Sequence, residues 1–234
     1  MNTPDSIQET CACRLETPFR LELPPGSAPA GGHPLLVALH FRGGSGERLA
    51  RKLQSPEPLP YARLFLSGPI PAVIGEGEAR RVGYSWYSYT GDRAALLEEL
   101  VRAESCLLDC LEQVGGRHPV DLDRMVVLGH SQGGYLASFA ALRRRNRFRG
   151  LVAVSCRIKH EVLGEALEAA AGFPVLGIHG ERDRSVLPGP QKEAFEILCD
   201  HGVEAVLHLH GGGHAVRPGT WPLVDAFVRR VLQE

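Results

Sequence analysis

The sequence predicts an α/β fold in which helices cover both faces of a mostly parallel central sheet. Apolar runs of strand length alternate with segments of helical periodicity along nearly the whole chain of 234 residues. Neither an internal repeat nor a boundary between domains interrupts this alternation, so residues 1–234 are expected to form a single domain, with 1–18 as an N-terminal arm. The hydrophobic content of 44% and the charged content of 23% are those of a globular protein, and they exclude a disordered chain.

The first half of the chain contains apolar runs separated by glycine- and proline-rich stretches, the pattern of strands that end in loops. The longest helix is indicated by leucine and valine residues that recur every three or four positions. In chain order the predicted elements are an edge strand Phe19–Leu23, a strand Leu35–Leu39, a short helix near Glu47–Leu53, a strand Leu64–Leu66, a long connection from Ser67 to Gly91, and a helix Ala94–Val114.

The second half repeats the alternation of strand and helix more regularly, which is typical of a parallel sheet with crossover helices. Its elements are a strand over Val126–Leu128, a helix Gln132–Arg144, a strand Leu151–Ser155, a helix Val162–Ala171, a strand Val175–His179, a helix Gln191–Cys199, a strand Glu204–Leu209, and a final helix Trp221–Leu232.

A Gly-x-Ser-x-Gly pattern joins one of these strands to the following helix, with Ser131 at its centre. This is the pattern of a nucleophile elbow, in which a buried strand ends, one serine occupies a strained turn, and a helix begins. Gly129 and Gly133 lack a Cβ atom and allow the strand and the helix to approach closely. The pattern is common by chance, but a strand before it and a helix after it are what an elbow requires.

Asp183 and His214 each lie on a loop just after a predicted strand, at the edge of a parallel sheet where ligands bind. The order serine, aspartate, histidine is that of the α/β-hydrolase fold. Histidine can remove the proton of a serine hydroxyl at neutral pH, and a carboxylate fixes its tautomer. Taken singly, Asp183 could instead cap a loop, and His214 could be a solvated histidine; their joint order and placement favour a catalytic triad with Ser131.

An acyl-transfer site also needs N–H groups that stabilise the oxyanion. One is the backbone N–H of Gln132, the residue after the serine. The other is expected from the glycine-containing loop after Leu35–Leu39, where we predict the backbone N–H of Arg42. The Arg42 side chain could in addition attract a carboxylate or phosphate on the substrate.

These motifs resemble the phospholipase/carboxylesterase family, the small esterase and acyl-protein thioesterase branch of the α/β-hydrolases. The motifs that carry the resemblance are His40-Phe41-Arg42-Gly43-Gly44, Gly129-His130-Ser131-Gln132-Gly133-Gly134, His179-Gly180-Glu181-Arg182-Asp183 and Gly212-Gly213-His214. The resemblance runs from about Leu35 to Phe227. It implies Ser131 as nucleophile, Asp183 and His214 as its partners, and hydrolysis of ester or thioester bonds without a metal.

The resemblance also implies the residues of the substrate pocket. The segment that contains Trp86 and Tyr87 is similar to an aromatic segment that lines the acyl pocket in the family. Phe41 stands where the family usually has glycine, so its side chain is expected to narrow the pocket or shift the oxyanion loop. Cys156 stands where relatives often have glycine, and we expect its thiol near the rim of the active site.

The predicted function is hydrolysis of carboxylic esters of small to medium acyl substrates through an acyl-enzyme on Ser131. No insertion between Asp183 and the last helix is long enough for a large lid, which favours an open site. An acyl-thioesterase or lysophospholipase would use the same triad, and no residue separates these activities. A catalytically silent binding module of the same fold is the alternative outside enzymes.

The resemblance implies a small-molecule ester or thioester as the partner, and charge and composition argue against other classes of partner. The formal net charge of −1 argues against a general affinity for nucleic acid or anionic membranes. No apolar stretch approaches the roughly 20 residues that span a bilayer. The polar N-terminus lacks the pattern of a secretory signal, so a cytoplasmic location is expected. The sequence leaves the oligomeric state open.

Two clusters contain residue types that bind metals. Cys11 and Cys13 could bind a metal or oxidise, but no second Cys/His pair lies close in the sequence. His208 and His210 share one face of a predicted strand near His214, yet no carboxylate or cysteine lies beside them to complete a site. We therefore expect neither a metal nor a cofactor.

Overall fold

The computed structural model describes residues 15–77, 80–89 and 91–233. The strands are β1 (Phe19–Glu22), β2 (His33–Leu39), β3 (Ala62–Leu66), β4 (Ile70–Ile74), β5 (Arg81–Ser85), β6 (Val120–His130), β7 (Gly150–Val154), β8 (Pro174–Gly180) and β9 (Glu204–His210). The helices are α1 (Gly46–Lys52), α2 (Arg93–Gly115), α3 (Gln132–Arg143), α4 (Glu165–Glu168), α5 (Pro188–Asp200) and α6 (Thr220–Gln233). Cys11, Cys13 and most of the expected N-terminal arm lie outside the described residues.

The main sheet has seven strands in the order β1-β3-β2-β6-β7-β8-β9. All neighbouring strands are parallel except β1, which pairs antiparallel with β3 at the edge. The carboxyl ends of β6, β8 and β9 therefore face the same edge of the sheet, and the loops that follow them meet there. The predicted α/β-hydrolase fold with a mostly parallel sheet is confirmed, and no large extra domain is evident among the described residues.

The core consists of two apolar layers, one on each face of the sheet. Successive side chains of a strand point to opposite faces, so alternate residues of β2 enter different layers. Val37 and Leu39 pack in the layer that contains α2, α3 and α5, while Leu36 and Ala38 pack in the layer that contains α1 and α6. All four are fully buried. Burial on both faces explains why the strands read as continuous apolar runs in the sequence.

In two segments the structure differs from what the sequence predicted. The connection from Ser67 to Gly91 contains an antiparallel hairpin of β4 and β5, which forms a small separate sheet. The predicted continuous helix Val162–Ala171 is wrong: a 3-10 turn at His160–Val162 and the four-residue α4 occupy the region. Gly164 lies between them at φ +52°, a conformation that interrupts a right-handed helix. No helix in the described part of the chain is both long and apolar enough to cross a membrane.

Candidate active site

Ser131 occupies a strained turn between β6 and α3. Its φ of +54° and ψ of −118° lie outside the regions that residues with side chains usually adopt. The turn is held by β7, because the N–H of Ser131 donates to the carbonyl oxygen of Val154 at 2.9 Å. A Cβ atom on Gly129 would lie 2.2 Å from the carbonyl oxygen of Gly133, which explains why this position is glycine. The strained turn presents the Ser131 hydroxyl at the carboxyl edge of the sheet.

His214 lies between Ser131 and Asp183. Its Nε2 is 2.9 Å from the Ser131 Oγ, and its Nδ1 is 2.8 Å from Oδ2 of Asp183. The loop that carries His214 is held to the elbow strand, since Nε2 of His130 donates to the His214 carbonyl oxygen at 3.0 Å. The structure therefore brings together the three side chains that the sequence placed on separate loops.

Asp183 is buried and fully hydrogen-bonded. Its Oδ1 accepts the backbone N–H groups of Ser185 and Val186 at 2.8 and 3.0 Å, while Oδ2 faces His214. Burial pushes the pKa of this carboxyl upward, but the hydrogen bonds from Val186, His214 and Ser185 outweigh it and leave the pKa below its ordinary value. Asp183 is therefore ionised at neutral pH and accepts the Nδ1–H of His214.

His179 is a residue of the site that the sequence reasoning did not assign a role. It is fully buried at the end of β8, and its Nε2 donates to the carbonyl oxygen of Val186 at 2.9 Å. The same nitrogen lies 3.5 Å from Oδ2 of Asp183. His179 thus holds the loop whose N–H groups bind the aspartate. The motif His179-Gly180-Glu181-Arg182-Asp183 contained the signal, because the histidine precedes the aspartate by four residues.

The loop after β2, which we call the oxyanion loop (residues 40–44), is organised by buried His40. The N–H of Gly68 donates to His40 Nε2 at 2.9 Å, so the ring proton is on Nδ1, which donates to the Phe41 carbonyl oxygen at 2.7 Å. Burial lowers the pKa of His40 to about 4 and keeps the ring neutral. The His40 carbonyl oxygen accepts the N–H of Gly133 at 3.1 Å, which joins the oxyanion loop to the elbow.

The hairpin of β4 and β5 supports the oxyanion loop from the other side. The N–H of Gly43 donates to the Tyr84 carbonyl oxygen, and the N–H of Tyr84 donates to the Gly44 carbonyl oxygen, both at 2.8 Å. Nη1 of Arg81 donates to the Gly43 carbonyl oxygen at 3.0 Å. A Cβ atom on Gly83 would lie 2.4 Å from that same oxygen. The two segments therefore pack backbone against backbone.

Gln132 contributes to the site through its backbone and its side chain. Its N–H heads α3, where a helix has no internal acceptor for the group. Its side-chain Oε1 accepts the N–H of Trp86 at 3.1 Å, and its Nε2 donates to the Tyr87 carbonyl oxygen at 2.8 Å. The side-chain role was not anticipated from the sequence.

The residues predicted to line the substrate pocket differ from one another in burial and in contacts. Trp86 and Tyr87 are buried, and Nε1 of Trp86 donates to the His40 carbonyl oxygen at 2.8 Å, so Trp86 braces the oxyanion loop. Phe41 is partly exposed, and its ring meets the ring of His130 edge-on with the centroids 5.2 Å apart. Arg42 is exposed at the tip of the loop.

The expected position of Cys156 at the rim of the site is wrong. Cys156 is fully buried, and a Cβ atom on Gly134 would lie 2.4 Å from its Sγ. Burial raises the pKa of the thiol to about 12, so it is protonated and unreactive at neutral pH. The close approach of α3 to the segment after β7 leaves the thiol no access to solvent.

His208 and His210 lie on β9, and the described residues contain no group of three or more His, Cys, Asp or Glu side chains that could hold a metal ion.

The arrangement of Ser131, His214 and Asp183 allows the chemistry of an activated serine. It provides a hydroxyl, a base bonded to that hydroxyl, and an ionised carboxylate behind the base.

Solved structures with the same fold include esterases and a thioesterase. Esterase PE8 is 27% identical, with a TM-score of 0.72, and the match covers 94% of this chain and all of PE8. The Bacillus cereus carboxylesterase is 15% identical, with a TM-score of 0.70 and coverage of 92% of this chain and 94% of its own. The Zea mays acyl-protein thioesterase 2 is 18% identical, with a TM-score of 0.70 and coverage of 93% and 100%.

None of the curated proteins compared with this chain matches it in sequence. The model of the phospholipase/carboxylesterase family matches residues 33–229. Family and neighbours together indicate a hydrolase of the esterase or thioesterase kind. The family match extends over most of the chain, and the protein therefore belongs to the phospholipase/carboxylesterase family.

Proposed function

We propose that this protein is a serine hydrolase that cleaves carboxylic esters of small to medium acyl substrates through an acyl-enzyme on Ser131. The observation that carries the proposal is the position of His214, within hydrogen-bond distance of both the Ser131 hydroxyl and the Asp183 carboxylate. A base bonded to the nucleophile and oriented by a third group is the arrangement that activates a serine.

The first half of the reaction forms the acyl-enzyme. His214 Nε2 takes the proton of Ser131 as Oγ attacks the ester carbon, and the imidazolium then gives that proton to the departing alcohol. Asp183 keeps the second ring proton on Nδ1, so that Nε2 has a free lone pair before attack. In the second half, His214 removes a proton from the water that attacks the acyl carbon. The bond between that carbon and Ser131 Oγ then breaks, the acid leaves, and the imidazolium returns its proton to Oγ.

The oxyanion of each tetrahedral intermediate would accept the backbone N–H groups of Gln132 and Arg42. The N–H of Gln132 is available at the start of α3, next to Ser131. Arg42 lies on the loop that His40, Trp86 and the hairpin hold in place. Rigid donors of this kind need no rearrangement during the reaction, and each contributes about 2.7–4 kcal/mol of transition-state stabilisation.

Labelling with a fluorophosphonate tests this function, because the probe reacts only with an activated serine. Wild type is expected to be labelled, Ser131→Ala is expected to remain unlabelled, and Ser88→Ala, which changes an exposed serine, is expected to behave as wild type. Absence of labelling in folded wild type would favour a catalytically silent binding module. Rates on nitrophenyl esters of graded chain length and on a matched thioester series then separate the esterase from the alternative acyl-thioesterase or lysophospholipase.

A further inference from the structure

Three arginines surround the oxyanion loop, and no ion pair with an acidic side chain is found for any of them among the described residues. Arg42 is exposed at the tip of the loop. Arg81 donates from Nη1 to the Gly43 carbonyl oxygen at 3.0 Å. The Arg48 guanidinium carbon lies 5.9 Å from the centre of the Phe41 ring. Positive charge is thus concentrated around this loop.

Of the three arginines, Arg48 has the positive charge that its surroundings compensate least. It is partly buried, and its Nη1 is shielded from solvent with no hydrogen-bond partner among residues 15–77, 80–89 and 91–233. Burial lowers the pKa of its guanidinium, and the nearby charges of Arg81 and Arg51 lower it further. An unpaired, partly desolvated cation among like charges destabilises a folded protein unless a ligand supplies the opposite charge.

The neighbouring arginine on the same helix shows how such a charge is normally matched. Arg51 is exposed, and its Nε bonds Oε1 of Glu47 at 3.1 Å. The same glutamate pairs with Arg20 at 3.2 Å. The acidic side chain of α1 is therefore directed away from Arg48, toward the outer surface. The contrast distinguishes Arg48 from the ordinary surface cations of this chain.

A series of ring contacts connects Arg48 to the base of the triad. The Phe41 ring lies 5.9 Å from the Arg48 guanidinium carbon and 5.2 Å from the His130 ring, and the centroid of the His130 ring is 5.4 Å from that of His214. A base that returns its proton to the departing alcohol must face that alcohol. The contacts of Arg48 therefore lead to the base that faces the leaving alcohol.

We propose that Arg48, with Arg42 and Arg81, forms a subsite for a carboxylate or phosphate group on the alcohol portion of the ester; this inference rests on the proposed serine hydrolase activity. The guanidinium is planar and carries its N–H donors in a fork that matches the oxygens of either anion. Binding such a group would supply the partner that Arg48 lacks. The substrates would then be esters of hydroxy acids or of phosphorylated alcohols.

Two acetate esters whose leaving groups differ in charge test the subsite, and comparison of wild type with the variants removes their difference in intrinsic reactivity. 4-Acetoxybenzoate carries a carboxylate there, and its methyl ester is neutral with the same acyl group. Wild type is expected to show a higher kcat/KM for the anion, and Arg48→Gln is expected to lower this preference about tenfold, the usual effect of a charge-assisted hydrogen bond. Arg48→Lys should retain part of it. Arg51→Gln, the matched control on α1, should leave both rates as in wild type.

Two further substrates identify the anion and its side. 4-Acetoxyphenyl phosphate, compared with the carboxylate, tells which anion the subsite prefers. Mono-4-nitrophenyl succinate, compared with 4-nitrophenyl butyrate, places the charge on the acyl portion instead. A preference that depends on Arg48 for this acyl pair alone would overturn the assignment to the leaving-alcohol side. Thermal unfolding of both Arg48 variants checks that they are folded.

The experiment separates failure of the subsite from failure of the proposed function. Equal kcat/KM values for the two acetoxybenzoates, unchanged in Arg48→Gln, would overturn the subsite and leave the hydrolase proposal standing. Lack of hydrolysis of every ester, together with lack of fluorophosphonate labelling, would overturn both. A preference for the anion that weakens with added salt supports the subsite, because salt screens such charges.

Discussion

Substitution of Asp183 by asparagine tests the triad through the tautomer of His214. The carboxylate accepts three hydrogen bonds, two at Oδ1 from the Ser185 and Val186 N–H groups and one at Oδ2 from His214. An asparagine has one oxygen and one NH₂ group. If its oxygen keeps the two backbone bonds, its NH₂ group faces His214 Nδ1 and forces the ring proton onto Nε2. That tautomer cannot take the proton of Ser131.

The opposite orientation of the asparagine is also unfavourable. Its oxygen would then face His214, but its NH₂ group would oppose the two N–H groups of Ser185 and Val186. Two buried donors would lose their acceptor, at about 1–3 kcal/mol each. The first orientation is therefore favoured, and kcat is expected to fall by about 10³- to 10⁴-fold, as an aspartate-to-asparagine change does in another serine hydrolase triad. This loss corresponds to about 4–5.5 kcal/mol in the activation free energy.

The assay is kcat and KM on 4-nitrophenyl acetate, with the rate of fluorophosphonate labelling measured on the same samples. Asp200→Asn, an exposed aspartate at the end of α5, is the matched control and should retain wild-type rates. Circular dichroism and thermal unfolding establish that the Asp183→Asn variant is folded. A folded variant that retains more than a tenth of wild-type kcat would refute the reasoning about the tautomer.

Three other perturbations test the supports of the site. Burial lowers the pKa of His40 to about 4, so the unfolded chain binds more protons than the folded protein between pH 6.5 and 4. The pKa of buried His130 is also lowered to about 4 and adds to this effect. The His40 contribution to stability should fall by about 3 kcal/mol over that range, and His40→Gln should make the fall in urea unfolding shallower. An equally steep fall in the variant would assign the pH dependence to other groups. Gly133→Ala places a Cβ atom 2.3 Å from the Leu39 carbonyl oxygen, and we expect a loss of more than about 2 kcal/mol in unfolding free energy together with lower kcat; a neutral result in both would contradict the close packing of the elbow. Gln132→Ala keeps the backbone N–H but removes the bonds to Trp86 and Tyr87, so kcat should fall about tenfold with little change in KM; unchanged kcat would show that the side chain does not position the loop.

The sequence predicted the central part of the site because the relevant signals are local. Gly129 and Gly133 are required by the backbone contacts of one tight turn, and that turn is encoded within a few residues. Asp183 and His214 could be placed because parallel strands end at one edge of the sheet, whatever the details of packing. Their roles, and a cytoplasmic location, stay predictions until they are measured.

The remaining parts of the site depend on contacts between distant segments. Cys156 was misplaced because only the approach of α3 shows that its thiol is buried, and the sequence around it resembles any loop after a strand. The hairpin of β4 and β5 was missed because its strands are short and form a small sheet apart from the main one. The charge on Arg48 could be counted from the sequence, but whether its Nη1 finds a partner in the described part of the chain could not be read from it.

The amino-acid sequence by itself determined the alternation of strands and helices in the main sheet, the turn that carries Ser131, and the loops on which Asp183 and His214 lie. Tertiary structure alone decided that His179 holds the Asp183 loop, that Trp86 and Gln132 brace the oxyanion loop, and that Arg48 lies against the Phe41 ring. The physical reason is the distance along the chain between the interacting residues. A turn or a strand depends on residues that are close in sequence. A tertiary hydrogen bond or an unpaired charge depends on distant segments that meet only when the sheet and its helices have packed.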